Sequence, residues 1–169
     1  MDAIGVLQDA IGRITERGHE VCDGLSPELA NERLDGRSNS IAWLVWHAAR
    51  VADTHVGDAL GADDVWRTRG WHERFGLALG SDDTGYGHTS EQVGQVQVND
   101  ASLLTGYLDD VIEVTRQAVD GLTDTDLDRV VDEGWDPPVT LGVRLVSVID
   151  DDLEHLGQAA FLKGVLEDR

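Results

Sequence analysis

Ser147-Val148-Ile149-Asp150-Asp151-Asp152-Leu153-Glu154-His155-Leu156-Gly157-Gln158, near the C-terminal end of a 169-residue chain, sets three consecutive aspartates and an imidazole into an otherwise apolar helical pattern. Around it Leu141, Leu145, Val148, Asp152, His155, Ala159, Leu162 and Leu166 keep a seven-residue rhythm, which predicts one helix from about Leu141 to Glu167. Residues four apart leave a helix on one face, so Asp151 and His155 form a pair. Asp152, three residues before His155, is the alternative carboxylate; Asp150 points away. A carboxylate on the inner side of a helix is heavily penalised unless it is partnered. A divalent ion shared with the imidazole is such a partner, and the stretch reads as half of a metal site.

The other half is His47, at the end of Ile41-Ala42-Trp43-Leu44-Val45-Trp46-His47. Ser38 or Ser40 caps a helix running to about Leu60, with Ile41, Leu44, Val45, Ala48, Val51, Ala52 and His55 sweeping one broad face. Helix bundles build metal sites from side chains on facing helices. His47, Asp151 and His155 together leave open positions for water or substrate, the pattern of a catalytic ion. His55 lies about 12 Å further along the axis by helical rise, too far to share the ion. Singly, His47 and His155 read more readily as core histidines bonded to a neighbour, and Trp43 and Trp46 as packing aromatics.

Two further long helices complete the pattern. From Asp2 to about Gly24, Ile4, Leu7, Ile11, Ile14 and Val21 recur at three- and four-residue steps. From about Ala101 to Leu122, Leu103, Leu104, Tyr107, Leu108, Val111, Ile112, Val114, Thr115 and Val119 do the same. Ser26-Pro27-Glu28 predicts a short turn followed by loop. His88-Thr89-Ser90-Glu91 reads as a helix start. Thr123 to Leu127 reads as a capped short helix, and Gly134-Trp135-Asp136-Pro137-Pro138 as a break. No segment alternates as a strand does. The expectation is a single domain over 1–169, an all-α four-helix bundle with a long aromatic-containing loop from Gly61 to Gly87. That loop carries Trp66, Trp71, His72, Phe75 and Tyr86, and long loops in compact domains are usually functional. Trp43, Trp71, His72, Tyr86 and His88 are candidates to line a pocket. Arg144, on the side of Asp151, is placed to hold an anionic substrate group or to pair with a surface acid. Gln158 is placed to orient His155 or bond a ligand.

The charge balance excludes some partners. With 33 acidic against 13 basic residues the net charge is −20, and no basic block interrupts it. Such a surface repels phosphate backbones and anionic lipid heads, arguing against nucleic acid and membrane partners. No apolar run approaches the ~18 residues of a membrane span, and no cationic leader opens the chain. A reduced, cytoplasmic setting is expected. Cys22, the lone cysteine, reads as a buried or half-buried thiol, because nothing basic beside it would generate thiolate. Serine elbows, phosphate-binding glycine loops and zinc-knuckle spacings are missing.

Ser38-Asn39-Ser40-Ile41-Ala42-Trp43-Leu44-Val45-Trp46-His47, together with Asp151-Asp152-Leu153-Glu154-His155-Leu156-Gly157-Gln158, resembles the DinB-like superfamily. Gly70 to Gly76, Gly85-Tyr86-Gly87-His88 and Trp135 to Thr140 are similar to its actinobacterial branch, which includes mycothiol-dependent maleylpyruvate isomerase and the mycothiol S-transferases. The resemblance implies a four-helix bundle with a divalent metal, commonly zinc or nickel, held by one histidine on the second long helix and two residues on the last. Many relatives carry His-x-x-x-His there; this chain has Asp151 in place of the first histidine, as the maleylpyruvate isomerases have an acid. The implied activity is thiol transfer to, or isomerisation of, an electrophilic small molecule, with mycothiol as the thiol and a homodimer as a common state. Two other readings fit the same residues: a non-catalytic metal or small-ligand binding protein, and a metal-assisted hydrolase.

Overall fold

The computed structural model describes residues 1–168, and four long helices account for most of them. Helix α1 (Ala3–Cys22) starts where the Asp2 side chain accepts from the Gly5 N–H and buries Leu7, Ile11, Ile14, Gly18 and Val21. A single turn, α2 (Pro27–Asn31), follows with proline in its first turn. Helix α3 (Ile41–Leu60) is capped by the Ser40 side chain on the Trp43 N–H and closed by Gly61 at a positive φ of 66°. Its first ten residues, Ile41 to Arg50, are buried on every side, because α2 and later short helices cover the flank turned away from the bundle. The expected single face is therefore too narrow a description. Helix α7 (Ser102–Asp120) buries Leu104, Tyr107, Leu108, Val111, Ile112, Thr115 and Val119. Helix α8 (Leu141–Glu167) begins at a Thr140 cap and is the longest, at 27 residues.

These four pack as a ring: α3 lies along α7 and α8, and α1 lies along the other sides of the same two helices. The architecture is all-α, as expected. Two further sequence expectations need correction. The stretch from Gly61 to Gly87 is not plain loop: it holds α4 (Val65–Thr68) and α5 (Trp71–Phe75), turns too short to show a periodicity. The break before α8 is bracketed by a small antiparallel ribbon, β1 (Val130–Asp132) with β2 (Val139–Thr140), pairing Val130 with Thr140 and Asp132 with Val139. Strands of three and two residues cannot display alternation. The turn α6 (Ser90–Val93) starts at the Thr89 capping box, and Asp124–Asp128 forms a 3₁₀ turn.

Among the described residues, no helix is long and apolar enough to cross a membrane.

Candidate metal centre

The α3–α8 contact brings His47 against Asp151 and His155. One ligand-type atom from each lies within 4.8 Å of the others. The imidazoles of His47 and His155 have ring centroids 4.8 Å apart, and His155 Nε2 is 3.7 Å from Asp151 Oδ1. Trp43, one turn before His47, stacks on its ring at 4.5 Å and 20° and meets His155 edge-on at 6.0 Å.

The polar atoms of this cluster are incompletely satisfied. Asp151 Oδ2 and His155 Nδ1 are buried without a hydrogen-bond partner. Orphans of this kind in a native interior call for an explanation such as an ion. His47 Nδ1 meets the backbone carbonyl of Thr84. Burial, more than any other influence, holds the His47 pKa below the usual imidazole range, although the Thr84 bond opposes it. A neutral imidazole is the form that binds a metal. Two imidazoles and one carboxylate suit zinc or another borderline divalent ion, with coordination positions left over. The residues therefore fit the group.

Asp152 stands elsewhere. It is fully buried with Val148 and Leu156 on the core side of α8, and neither carboxylate oxygen has a partner. Burial first, and the neighbouring Asp151 second, push its pKa well above the usual carboxylate range. Of the two acids, Asp151 is the one gathered with the histidines.

The remaining sequence candidates fall in several places. His88, with its side chain 3% exposed, lies beside the centre, receiving the Trp43 indole N–H on Nδ1 at 3.1 Å and meeting Asp83 Oδ1 through Nε2 at 2.8 Å. Tyr86 is 91% exposed. Trp71 is buried against Phe75 and Tyr107 and donates to Asp110. His72 packs edge-on against Trp66. These two lie among the aromatics that seat α5 on α7. Arg144 pairs with Asp132 at 2.9 Å, with its other guanidinium nitrogen 3.5 Å from His55 Nδ1. Gln158 is exposed. Cys22 is half-buried, and burial raises its thiol pKa to about 11.

Sequence reading overlooked a buried charged network one turn along α3 from His47. Asp53 accepts from Arg50 Nη1 at 3.1 Å, the Tyr107 hydroxyl at 2.7 Å, and the Val65 and Trp66 N–H groups at 2.8 Å each. The Arg-x-x-Asp spacing of Arg50 and Asp53 in an otherwise apolar part of the helix was the available signal. Asp83 and Thr84 carried none, since they sit in aperiodic chain.

Residues 6–167 match the mycothiol-S-transferase family model. The chain belongs to that family. Among solved structures it is similar to a conserved protein from Enterococcus faecalis, with 31% identity, a TM-score of 0.92, and coverage of 100% of this chain and 99% of that one. No curated protein matches the chain. Family and fold agree with the DinB-like resemblance of the segments around His47 and His155.

Proposed function

We propose that this mycothiol-S-transferase family member is a metal-dependent enzyme that joins an intact low-molecular-weight thiol, mycothiol, through its sulfur to an electrophilic small molecule, the thiol giving up its proton. The observation that carries the reading is the convergence of His47, Asp151 and His155 with two of their buried polar atoms unpaired. A divalent ion held there supplies Lewis acidity, lowering the pKa of a bound thiol so that thiolate is available at neutral pH.

The chain's own residues do the rest. His47 Nε2, an imidazole nitrogen of His155 and a carboxylate oxygen of Asp151 are the holding atoms, and Trp43 fixes the plane of the His47 ring by stacking. Three protein ligands leave room for the thiol. Cys22 is poorly suited to be the attacking sulfur, because burial pushes its thiol pKa up to about 11. The nucleophile must therefore arrive with a co-substrate.

The test is metal analysis of the purified protein, followed by mycothiol with a panel of electrophiles. His155→Ala is expected to lose both ion and turnover together. A protein that retains its metal after that change has its site elsewhere. Metal binding with no thiol-dependent turnover would favour the non-catalytic reading, and turnover of water alone the hydrolase.

A further inference from the structure

The surroundings of His47 are the most fully determined of the three, and they come from one loop. Its Nδ1 faces the Thr84 carbonyl, which can only accept, so Nδ1 bears the proton and Nε2 keeps its lone pair. Gly85 presses on the same ring. A Cβ there would stand 2.8 Å from His47 Nδ1, 3.0 Å from Trp46 Cζ3 and 3.2 Å from Trp43 Cζ2, and the φ of +90° independently favours glycine.

Asp83 fixes this segment from the other end. Its Oδ1 accepts from the Gly85 N–H at 2.8 Å and meets His88 Nε2 at 2.8 Å, while its carbonyl accepts from Arg50 Nε at 3.1 Å. The tautomer of His88 follows by the same logic. An indole N–H can only donate, so Nδ1 of His88 accepts from Trp43 and Nε2 carries the proton given to Asp83. Trp43 then stacks on His47, which closes the circuit. Arg50 is itself immobilised by Asp53 and Tyr107.

We propose that Asp83, Gly85 and His88 are positioning residues: the 83–88 loop is a clamp that holds His47 in its Nδ1–H tautomer and so presents Nε2 to the ion. None of the three touches the cluster's ligand atoms as a ligand itself. The inference rests on the metal reading for its consequence, although the tautomer it predicts exists without any ion. Partners that orient a ligating histidine change metal affinity by about 10–100-fold.

The experiment uses the full chain, wild type and the variants Asp83→Ala, Asp83→Asn and Gly85→Ala, with two readouts. Imidazole ¹⁵N NMR of the metal-free protein reads the tautomer of His47. Competition against a chromophoric chelator reads the affinity for Zn²⁺. The wild type is expected to carry the proton on Nδ1 alone. Asp83→Ala should give a mixture of tautomers and bind zinc about 10–100-fold more weakly. Asp83→Asn keeps an oxygen for the Gly85 N–H and His88, and should restore both readouts. Gly85→Ala should weaken zinc binding with helix content unchanged. Wild-type tautomer and affinity in Asp83→Ala and Gly85→Ala, or an Asp83→Asn as impaired as Asp83→Ala, would overturn the clamp. If the wild type takes no zinc, the proposed metal centre fails alone, and the NMR readout still decides the clamp.

Discussion

Replacing Asp152 by asparagine tests whether the fold holds a carboxyl in its core against the pull of solvation. Asp152 is wholly buried with both oxygens unpaired, and its pKa is raised well above the usual range, chiefly by burial and secondarily by Asp151. The native state therefore binds this proton more tightly than the unfolded chain does. The stability tied to it is fully present below the unfolded value, about 3.9, and is lost as pH rises through the native pKa. Each unit of separation between the two values removes about 1.4 kcal/mol by the top of that window. Asparagine keeps the shape of the protonated acid and cannot ionise.

The variant should match the wild type near pH 4 and gain on it at higher pH. The difference should approach a slope of about 1.4 kcal/mol per pH unit and flatten once the native carboxyl ionises. Urea unfolding followed by far-UV circular dichroism, in pH steps from about 4 to 8 on metal-free protein, measures this directly. A difference that stays flat across the range would refute the reasoning, because Asp152 would then titrate as an ordinary, partnered carboxylate. Asp152→Leu extends the test by removing the orphaned oxygens themselves. A buried unsatisfied polar group costs about 1–3 kcal/mol, so a gain of that order is expected even at acid pH.

Three other outcomes are expected. Asp53→Ala strands Arg50, whose side chain is 3% exposed, and should destabilise by about 3–5 kcal/mol in denaturant unfolding, whereas Tyr107→Phe removes one donor and should cost about 1 kcal/mol. Zinc or nickel at about a thousand times its Kd should add about 4 kcal/mol and raise Tm by about 8–16 °C, an increase absent in His155→Ala and reversed by a chelator. Cys22→Ala should leave thiol-transfer turnover unchanged, and the native thiol should react with a disulfide reagent far more slowly at pH 8 than the unfolded chain does.

The legibility of the sequence tracks periodicity. Helices α1, α3, α7 and α8 each repeat apolar residues over about twenty positions or more, and their bounds were readable to within two residues. Asp151 and His155 were legible because a helix converts a spacing of four into a shared face. The choice between Asp151 and Asp152 was not, since both flank that face and only the packing of α1 and α3 around α8 turns one toward His47 and the other into the core. Turns α4 and α5 were invisible because four or five residues make no rhythm. In the 83–88 loop Tyr86 and His88 were legible as pocket candidates, but the contacts of Thr84 and Gly85 with His47 were not, since a backbone carbonyl and a missing Cβ are no feature of side-chain pattern.

Asp151, half-buried beside the histidines, and Asp152, wholly buried in the core, stand in different surroundings one residue apart. On the proposed reading, a divalent ion between His47, Asp151 and His155 meets one formal negative charge, so the centre retains one net positive charge with which to stabilise a thiolate. A second ionised carboxylate next in sequence would cancel that charge and weaken the pull on the thiol. Burial of Asp152 among Val148 and Leu156 raises its pKa and so disfavours a second charge beside Asp151. On that reading Asp152→Asn, which carries no charge, should raise stability at neutral pH while thiol-transfer turnover is retained, and a loss of turnover in this variant would show that the Asp152 carboxyl itself is needed.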